Sequence, residues 1–592
     1  MFGVGNCRLI IEEVQMEEEQ ANLDATNRFA SLAQHEFDLI VIGGGIIGAG
    51  IARDAALRGL KVALFEKNDF ASGTTSRSTR LIHGGLRYLE MLDFGLVRQD
   101  LKERETLLKL APHLVRPLAF LVPMYRRSLF YQVKLRIGMW LYDWLSFDKS
   151  LPNHSFFSKK QTLEREPGLK EAGLNGAALY YDAQVELAER LCLENIIDAQ
   201  ANGALTFNYA KVTGLVKAGP RVTGVQVQDE LTGCSVGEVR GKLICNASGA
   251  WLDGLEGQLT GKPSHKVRTT KGIHLAAPPA TKNAVVLFAE KDDRLFFVIP
   301  WLNYAWVGTT DTDFDSDLDS VRADAEDVEY LRETVRDVFP QADWDTVYYT
   351  NAGVRALVRT GKRGGKDESA VSRKHALIDH EKTEHQPGLV SVVGGKITAF
   401  RGIAQEATDL ICQKLDRTVP TTTDTRPLPG GQIEGKFEDF LARMQKQALT
   451  FGLTNAQVAY LCDLYGSRIT TIFDLIHADP QLAAPIHPAY PDVLAQIKLA
   501  VTQENCLALS DFMMRRTALY FSPDQGRQAI ATVAEVMTGL LGWDAATSLH
   551  QIARYEQELA WTQEWRTSVQ SSITTQSSAD ANQPAPELVA RS

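Results

Sequence analysis

A chain of 592 residues, 44% hydrophobic and 23% charged, is long enough for two or three domains with large buried cores. Its net charge of −10 argues against a nucleic-acid partner, because neutralising phosphates requires a basic face. Seven scattered Cys, with no C-x-x-C pair, point to reduced cytoplasmic thiols rather than a disulfide framework or a zinc site.

No apolar run reaches the roughly 18 residues that a membrane-spanning helix needs. Residues 1–36 lack a basic segment followed by an apolar one, and 12–20 (EEVQMEEEQ) is acidic. This argues against a signal or transit peptide and predicts a disordered extension, with Met16 as an alternative start.

The first strong signal is DLIVIGGGIIGAGIARDAALRGLKVALFEK (38–67). An apolar run at 39–42 predicts a strand buried on both faces. Gly43, Gly45 and Gly48 follow in G-x-G-x-x-G spacing, then a helical pattern over 46–58 that Gly59 stops. A second buried strand, 61–65, ends on Glu66. The first glycine allows the turn, the second admits a pyrophosphate and the third brings helix onto strand. Glu66 is placed to accept from a ribose hydroxyl. Dinucleotide binding is therefore expected.

The segment GTTSRSTRLIHGGLRYL (73–89) narrows the choice. It resembles the D-amino-acid-oxidase-like flavoproteins and, more narrowly, the FAD-dependent glycerol-3-phosphate dehydrogenases, which carry S-S-K-L-I-H-G-G-L-R-Y-L here. Arg80 stands where that family carries Lys. The resemblance implies FAD as cofactor, sn-glycerol 3-phosphate as substrate and a quinone as electron acceptor. It also implies peripheral attachment to the cytoplasmic face of a membrane. It places flavin contacts on Thr74, Thr75, Ser76, His83, Gly84 and Gly85.

Residues 93–111 read as an amphipathic helix. The stretch 128–147 (SLFYQVKLRIGMWLYDWLSF) is basic, aromatic and amphipathic. It fits either a membrane-interface helix or a core helix filled by Phe130, Leu135, Met139, Trp140 and Trp144. A helix at 184–202 leads to a strand at 221–229 and to 241–251, GKLICNASGAW. Its small residues around Gly249 leave room for cofactor contact, and the family's N-A-[TS]-G-x-W phrase matches. Alternation over 267–312, 347–358, 372–380 and 389–400 predicts a mixed substrate-binding sheet. Gly395, Lys396 and Thr398 then open a helix over 399–415 whose positive end can face reduced flavin. The phrase TTTDTRPLPGG (421–431) reads as a linker, and 436–562 is helical in period.

The expected architecture is α/β: an FAD-binding Rossmann-like domain interleaved with a mixed-sheet substrate domain over 37–420. A helical domain follows over 421–565, then a disordered tail over 566–592. A homodimer is left open.

Oxidising an alcohol by hydride transfer needs a base for the hydroxyl proton and fixed charges for the substrate. A phosphate favours arginine forks. Arg87, Arg355 and Arg373 match Arg-bearing motifs of the family, although Ala356 replaces its Pro. Arg355 ends an apolar strand, an unusual place for a charge unless a polar cavity faces it. His83 is the candidate base, so His83, Arg87 and Arg355 form the expected catalytic set. Tyr88, Lys271 and His274 join Arg87, Arg355 and Arg373 as substrate-binding candidates. Asp379, His380, Glu384 and His385 read as a solvated hairpin turn, and no metal is expected. The rival readings are a glycerol-3-phosphate or amino-acid oxidase using oxygen, and a flavin-binding redox sensor without turnover.

Overall fold

The computed structural model describes residues 28–566, apart from Glu90, Lys262, Glu290, Asp293 and the segments 126–128 and 360–373. The side chains of Ala33, Arg87, 129–131 and Leu259 also lie outside the described residues. So do Arg373, the tail 567–592 and most of the N-terminal extension.

Two sheets, threaded by alternating stretches of chain, make the α/β part. The strand Phe37–Ile42 is buried along its whole length, as an apolar run between two neighbours requires. It pairs in parallel with Val62–Phe65 and with Ser235–Asn246, which pairs in parallel with Leu389–Val393. Leu205–Phe207 adds a strand beyond Val62–Phe65, and Ala376–Asp379 closes the other edge antiparallel. Helix Ile46–Leu57 covers one face. Its Ala49, Ala52 and Ala55 are fully buried, so the helices Ala188–Ala201 and Phe400–Lys414 approach closely.

The second sheet is mixed and has ten strands. Val267–Ala277 lies between Tyr304–Gly308 and Tyr349–Val358, both antiparallel to it. Leu174–Val185 pairs with Val115–Tyr125 and with Ser155–Ser158. The helix expected from 184 therefore begins later, at Ala188. The small and aromatic run before it is drawn into the sheet, where its side chains are almost all buried.

Helices from Phe437–Ala448 to Ala545–Trp561 form a C-terminal helical domain. Buried ion pairs tie it to the α/β part: Glu504 with Arg190, Arg468 with Glu194, and Arg515 and Arg516 with Asp69.

Three expectations change. Residues 28–36 are ordered onto the first sheet: Arg28 pairs with Asp229 at 2.6 Å and Phe29 stacks on Phe207. The HEKTEH segment is a short helix, His380–Glu384, rather than a solvated turn. His380 is fully buried, with its Nε2 2.8 Å from Ser391 Oγ and 3.3 Å from Glu256 Oε1. Finally, helix Leu129–Leu145 buries Met139, Tyr142 and Leu145 but leaves Trp140 and Trp144 at 64% and 60% exposure. Only part of its apolar surface fills a core.

Candidate active site

The strand Phe37–Ile42 and the helix Ile46–Leu57 meet at a turn shaped for glycine. Gly43 has φ +106, and a Cβ there would stand 2.7 Å from the Ala247 carbonyl oxygen. A Cβ on Gly48 would stand 1.9 Å from the Gly43 oxygen, so the third glycine lets the helix close down on the turn. No acidic residue occupies the first turn of this helix, which leaves its positive end suited to an anion. Glu66 Oε2 accepts from the Gly44 N–H at 2.7 Å and Oε1 from the Asn68 N–H at 2.9 Å. Burial nevertheless pushes this carboxyl up. Each oxygen keeps a second lone pair for a hydroxyl donor.

Gly43, Gly45, Glu66 and Gly249 line a cavity of about 1210 Å³. That exceeds the roughly 300–1,000 Å³ of an ordinary small-molecule pocket and has room for a dinucleotide beside a small substrate. The donor set, glycine cradle and volume all fit FAD.

The polar turn runs along this cavity. Thr74 Oγ1 donates to the Val354 carbonyl at 2.8 Å, and Thr75 Oγ1 accepts the Ile46 N–H at 3.1 Å. Ser76, Gly48, Gly84 and Gly85 are not among the lining residues. Ser76 Oγ donates instead to the Ala71 carbonyl, and Gly84 is wedged where a Cβ would meet Leu101 and Tyr142 within 2.6 Å. Their part is to shape the turn. The His83 N–H donates to Thr398 Oγ1 at 3.1 Å, which fastens the turn to the segment that opens helix Phe400–Lys414.

Arg80 is fully buried, with both terminal nitrogens on Glu189 at 2.8 and 2.7 Å and its guanidinium over the Trp301 and Phe521 rings. A lysine has neither the fork nor the flat face for this arrangement.

On the strand that the polar turn packs against, Arg355 is held by Asp311 at 3.0 Å, Thr309 Oγ1 at 2.7 Å and the Thr310 carbonyl at 3.1 Å. Its guanidinium lies against Gly272, where any Cβ would stand 2.2 Å from Nη2. Ala356, where the family carries Pro, sits in the regular ladder opposite Thr269. His274 stacks on Trp306 with ring centres 5.0 Å apart, and its Nε2 lies 3.0 Å from Thr79 Oγ1. Its buried Nδ1 has no hydrogen-bond partner among the described residues. Burial, then the charges of Arg355 and Arg80, push this imidazole well below its ordinary pKa and keep it neutral. Tyr88, Gly395, Lys396 and Thr398 line the cavity as well.

Lys271 departs from expectation. Its ammonium is gripped by Asp324 and Asp327 at 2.7 and 2.6 Å, and it is not among the lining residues. It points to the other side of the strand from Gly272, as strand alternation dictates. The Arg87 side chain and the whole of Arg373 lie outside the described residues.

Several residues were missed. Arg77 and Arg322 line the cavity, and Asp100 pairs with Lys396. Asp182 accepts from Tyr142, Arg104 and, at 3.4 Å, the Gly84 N–H. Asp100 carried a legible signal, a carboxylate on the apolar side of an amphipathic helix. Arg322 sits in an acidic stretch without a motif, so nothing pointed to it.

The sequence profile described as "FAD dependent oxidoreductase" matches residues 38–410, and that of the "C-terminal domain of alpha-glycerophosphate oxidase" matches 421–548. A glycerol-3-phosphate dehydrogenase of Synechocystis sp. is 40% identical over 548 residues, 89% of this chain and 97% of that one. An aerobic glycerol-3-phosphate dehydrogenase of Staphylococcus haemolyticus is 35% identical, covering 87% and 92%. The crystal structure of glycerol-3-phosphate dehydrogenase from Bacillus halodurans, complexed with FAD, superposes with a TM-score of 0.75 at 30% identity. That match covers 92% of this chain and 98% of that one. With its dinucleotide cradle, mixed sheet and helical C-terminal domain, the chain belongs to the FAD-dependent oxidoreductase family, among the glycerol-3-phosphate dehydrogenases.

Proposed function

We propose that this protein oxidises sn-glycerol 3-phosphate to dihydroxyacetone phosphate by hydride transfer to FAD and passes the electrons to a quinone. The observation that carries the reading is Arg355, a guanidinium fixed by three oxygen partners in the same cavity as a dinucleotide cradle. Relatives named for this activity over most of their length support it.

The turn formed by Gly43, Gly45 and Gly48 holds the pyrophosphate and Glu66 the ribose, while Thr74, Thr75, Gly249, Gly395 and Thr398 flank the rest of the cofactor. Bound FAD supplies the two-electron acceptor. Arg355, with Arg87 and Arg373, takes the phosphate dianion, whose oxygens match the arginine fork. His83 takes the hydroxyl proton as C2 gives up its hydride. Neutral His274, held beside the polar turn by Thr79, offers a second acceptor, and the paired Lys396 and Tyr88 orient the substrate. With the phosphate and both hydroxyls fixed, the reacting carbon is held in one place and the step becomes effectively unimolecular.

The acceptor reading draws on helix Leu129–Leu145. Val133, Ile137, Trp140 and Trp144 share one exposed stripe, continued by Phe147 at 79% exposure. Arg136 stands beside this stripe, over the Phe156 ring. An aromatic face with basic neighbours suits a lipid surface, where a quinone is dissolved. No helix among the described residues is long and apolar enough to cross a membrane. The test is product analysis under anaerobic turnover with a soluble quinone. Equimolar dihydroxyacetone phosphate and hydroquinone are expected. Turnover that proceeds only with oxygen and yields peroxide would replace the quinone by the oxidase alternative.

A further inference from the structure

Helix Ala545–Trp561 lies almost wholly beyond the segment matched by the C-terminal family profile, which ends at 548. Its anchors are well defined. The Asp544 carboxylate caps its start, accepting the Thr547 N–H at 2.7 Å. Tyr555 and Leu559 are fully buried in the helical domain, and the Tyr555 hydroxyl donates to the Gln525 carbonyl at 2.7 Å. Just past its end, the Thr562 carbonyl accepts from Thr350 Oγ1 at 2.8 Å, and Gln563 Nε2 donates to the Tyr348 carbonyl at 2.6 Å. The helix thus bridges the helical domain and the strand that carries Arg355.

A remaining stripe faces inward. His550, Arg554, Gln557 and Trp561, at helical spacing, line the same cavity as Gly43, Glu66 and Arg355. At one end, Arg554 Cζ lies 5.9 Å from the Tyr209 ring centre, and Arg554 Nε lies 3.6 Å from Glu558 Oε1. Tyr209 adjoins Ala210, whose N–H donates to the Glu66 carbonyl at 2.7 Å. Arg554 therefore stands at the Glu66 end of the cavity. At the other end, Arg322 Cζ packs 3.9 Å from the Trp561 ring centre, joining the helix to the wall of the substrate sheet.

We propose that this helix face is the outer wall of the cofactor cleft. Arg554 is a cofactor-binding residue that attracts the pyrophosphate of FAD from the adenosine side, and the Trp561–Arg322 contact keeps the wall shut. The inference rests on the assignment of FAD to this cavity. A cation on a partly desolvated wall interacts with phosphate far more strongly than one in open water.

The experiment uses the full chain, stripped of flavin and titrated with FAD while flavin fluorescence is followed. Arg554→Ala, and Gln557→Glu, which sets a carboxylate on the same stripe without disturbing a buried contact, each raise the FAD dissociation constant about tenfold. Trp561→Ala accelerates flavin release after dilution. Glu556→Ala, at an exposed position paired with Arg527, binds FAD as the wild type does. The apoprotein unfolding midpoints of Arg554→Ala and Gln557→Glu stay at the wild-type value. Wild-type affinity in Arg554→Ala and Gln557→Glu, or wild-type flavin release in Trp561→Ala, would overturn the proposal alone. A wild-type chain that takes up no FAD would overturn it together with the reading on which it rests.

Discussion

Lys396 Nζ lies 2.5 Å from Asp100 Oδ2 and 3.9 Å from the Tyr88 ring centre, joining the segment 88–100 to the distant segment that opens helix Phe400–Lys414. Asp100 is completely buried on its helix, and its Oδ1 has no hydrogen-bond partner among the described residues. Burial pushes its carboxyl up to about 6 against the opposing pull of Lys396. The folded chain therefore keeps a proton that the unfolded chain releases near 3.8. The stability this contributes is complete below about 3.8 and is lost as pH rises through about 6. Asp100→Asn has no such loss. Its unfolding free energy relative to wild type is expected to rise by up to about 3 kcal/mol between pH 4 and pH 7. Urea titrations at the two pH values check this, and a difference that does not change with pH would contradict it.

Arg355→Ala removes one guanidinium from the proposed phosphate site and leaves Asp311 without that partner. The expected loss in substrate binding is about 2–5 kcal/mol, read as an increase in KM. Arg355→Lys retains the charge but loses the fork and recovers only part of the affinity. Steady-state kinetics decide. An unchanged KM would remove Arg355 from the phosphate site.

Glu504 is fully buried between Arg190 and Arg468, at 2.7 and 2.9 Å. Despite burial, those two charges hold its carboxyl down to about 2. Its stabilising contribution is therefore present above about 4.5 and lost as pH falls through about 2. Glu504→Gln takes the carboxylate from the buried Arg190 and leaves Arg468 only Glu194, at 3.5 Å, and is expected to cost about 3–5 kcal/mol at neutral pH. Denaturant unfolding at pH 7 and pH 3 should show the gap between the two proteins narrowing in acid.

The exposed stripe of helix Leu129–Leu145 offers a different test. A Trp140→Ser/Trp144→Ser double variant removes two largely exposed rings, so its unfolding midpoint should stay near wild type. Its partition onto anionic phospholipid vesicles should fall several-fold, because each ring carries apolar area into the interface. Equal vesicle sedimentation of the two proteins would remove the helix from the membrane contact.

Much of the fold was legible because its signals are local. The strands Phe37–Ile42 and Val62–Phe65 and the glycine turn between them follow from a short stretch of sequence. Pairings that depend on distant strands were harder to read. Leu174–Val185 is a strand because Val115–Tyr125 lies beside it, a fact absent from its own periodicity. Within the cavity, Arg355 betrayed itself as a charge on an apolar strand, although that strand runs on past it to Val358. Lys271 misled because strand alternation turns it toward Asp324 and Asp327. The inward stripe of helix Ala545–Trp561 was invisible, since a helix facing a cavity has the same polar pattern as one facing water.

The most direct measurement of the central claim is anaerobic rapid mixing of the FAD-loaded protein with sn-glycerol 3-phosphate while flavin absorbance is followed. The account predicts bleaching of the oxidised flavin band, then fast recovery on adding a quinone and slow recovery in air. A flavin band that stays unchanged with saturating substrate would contradict it.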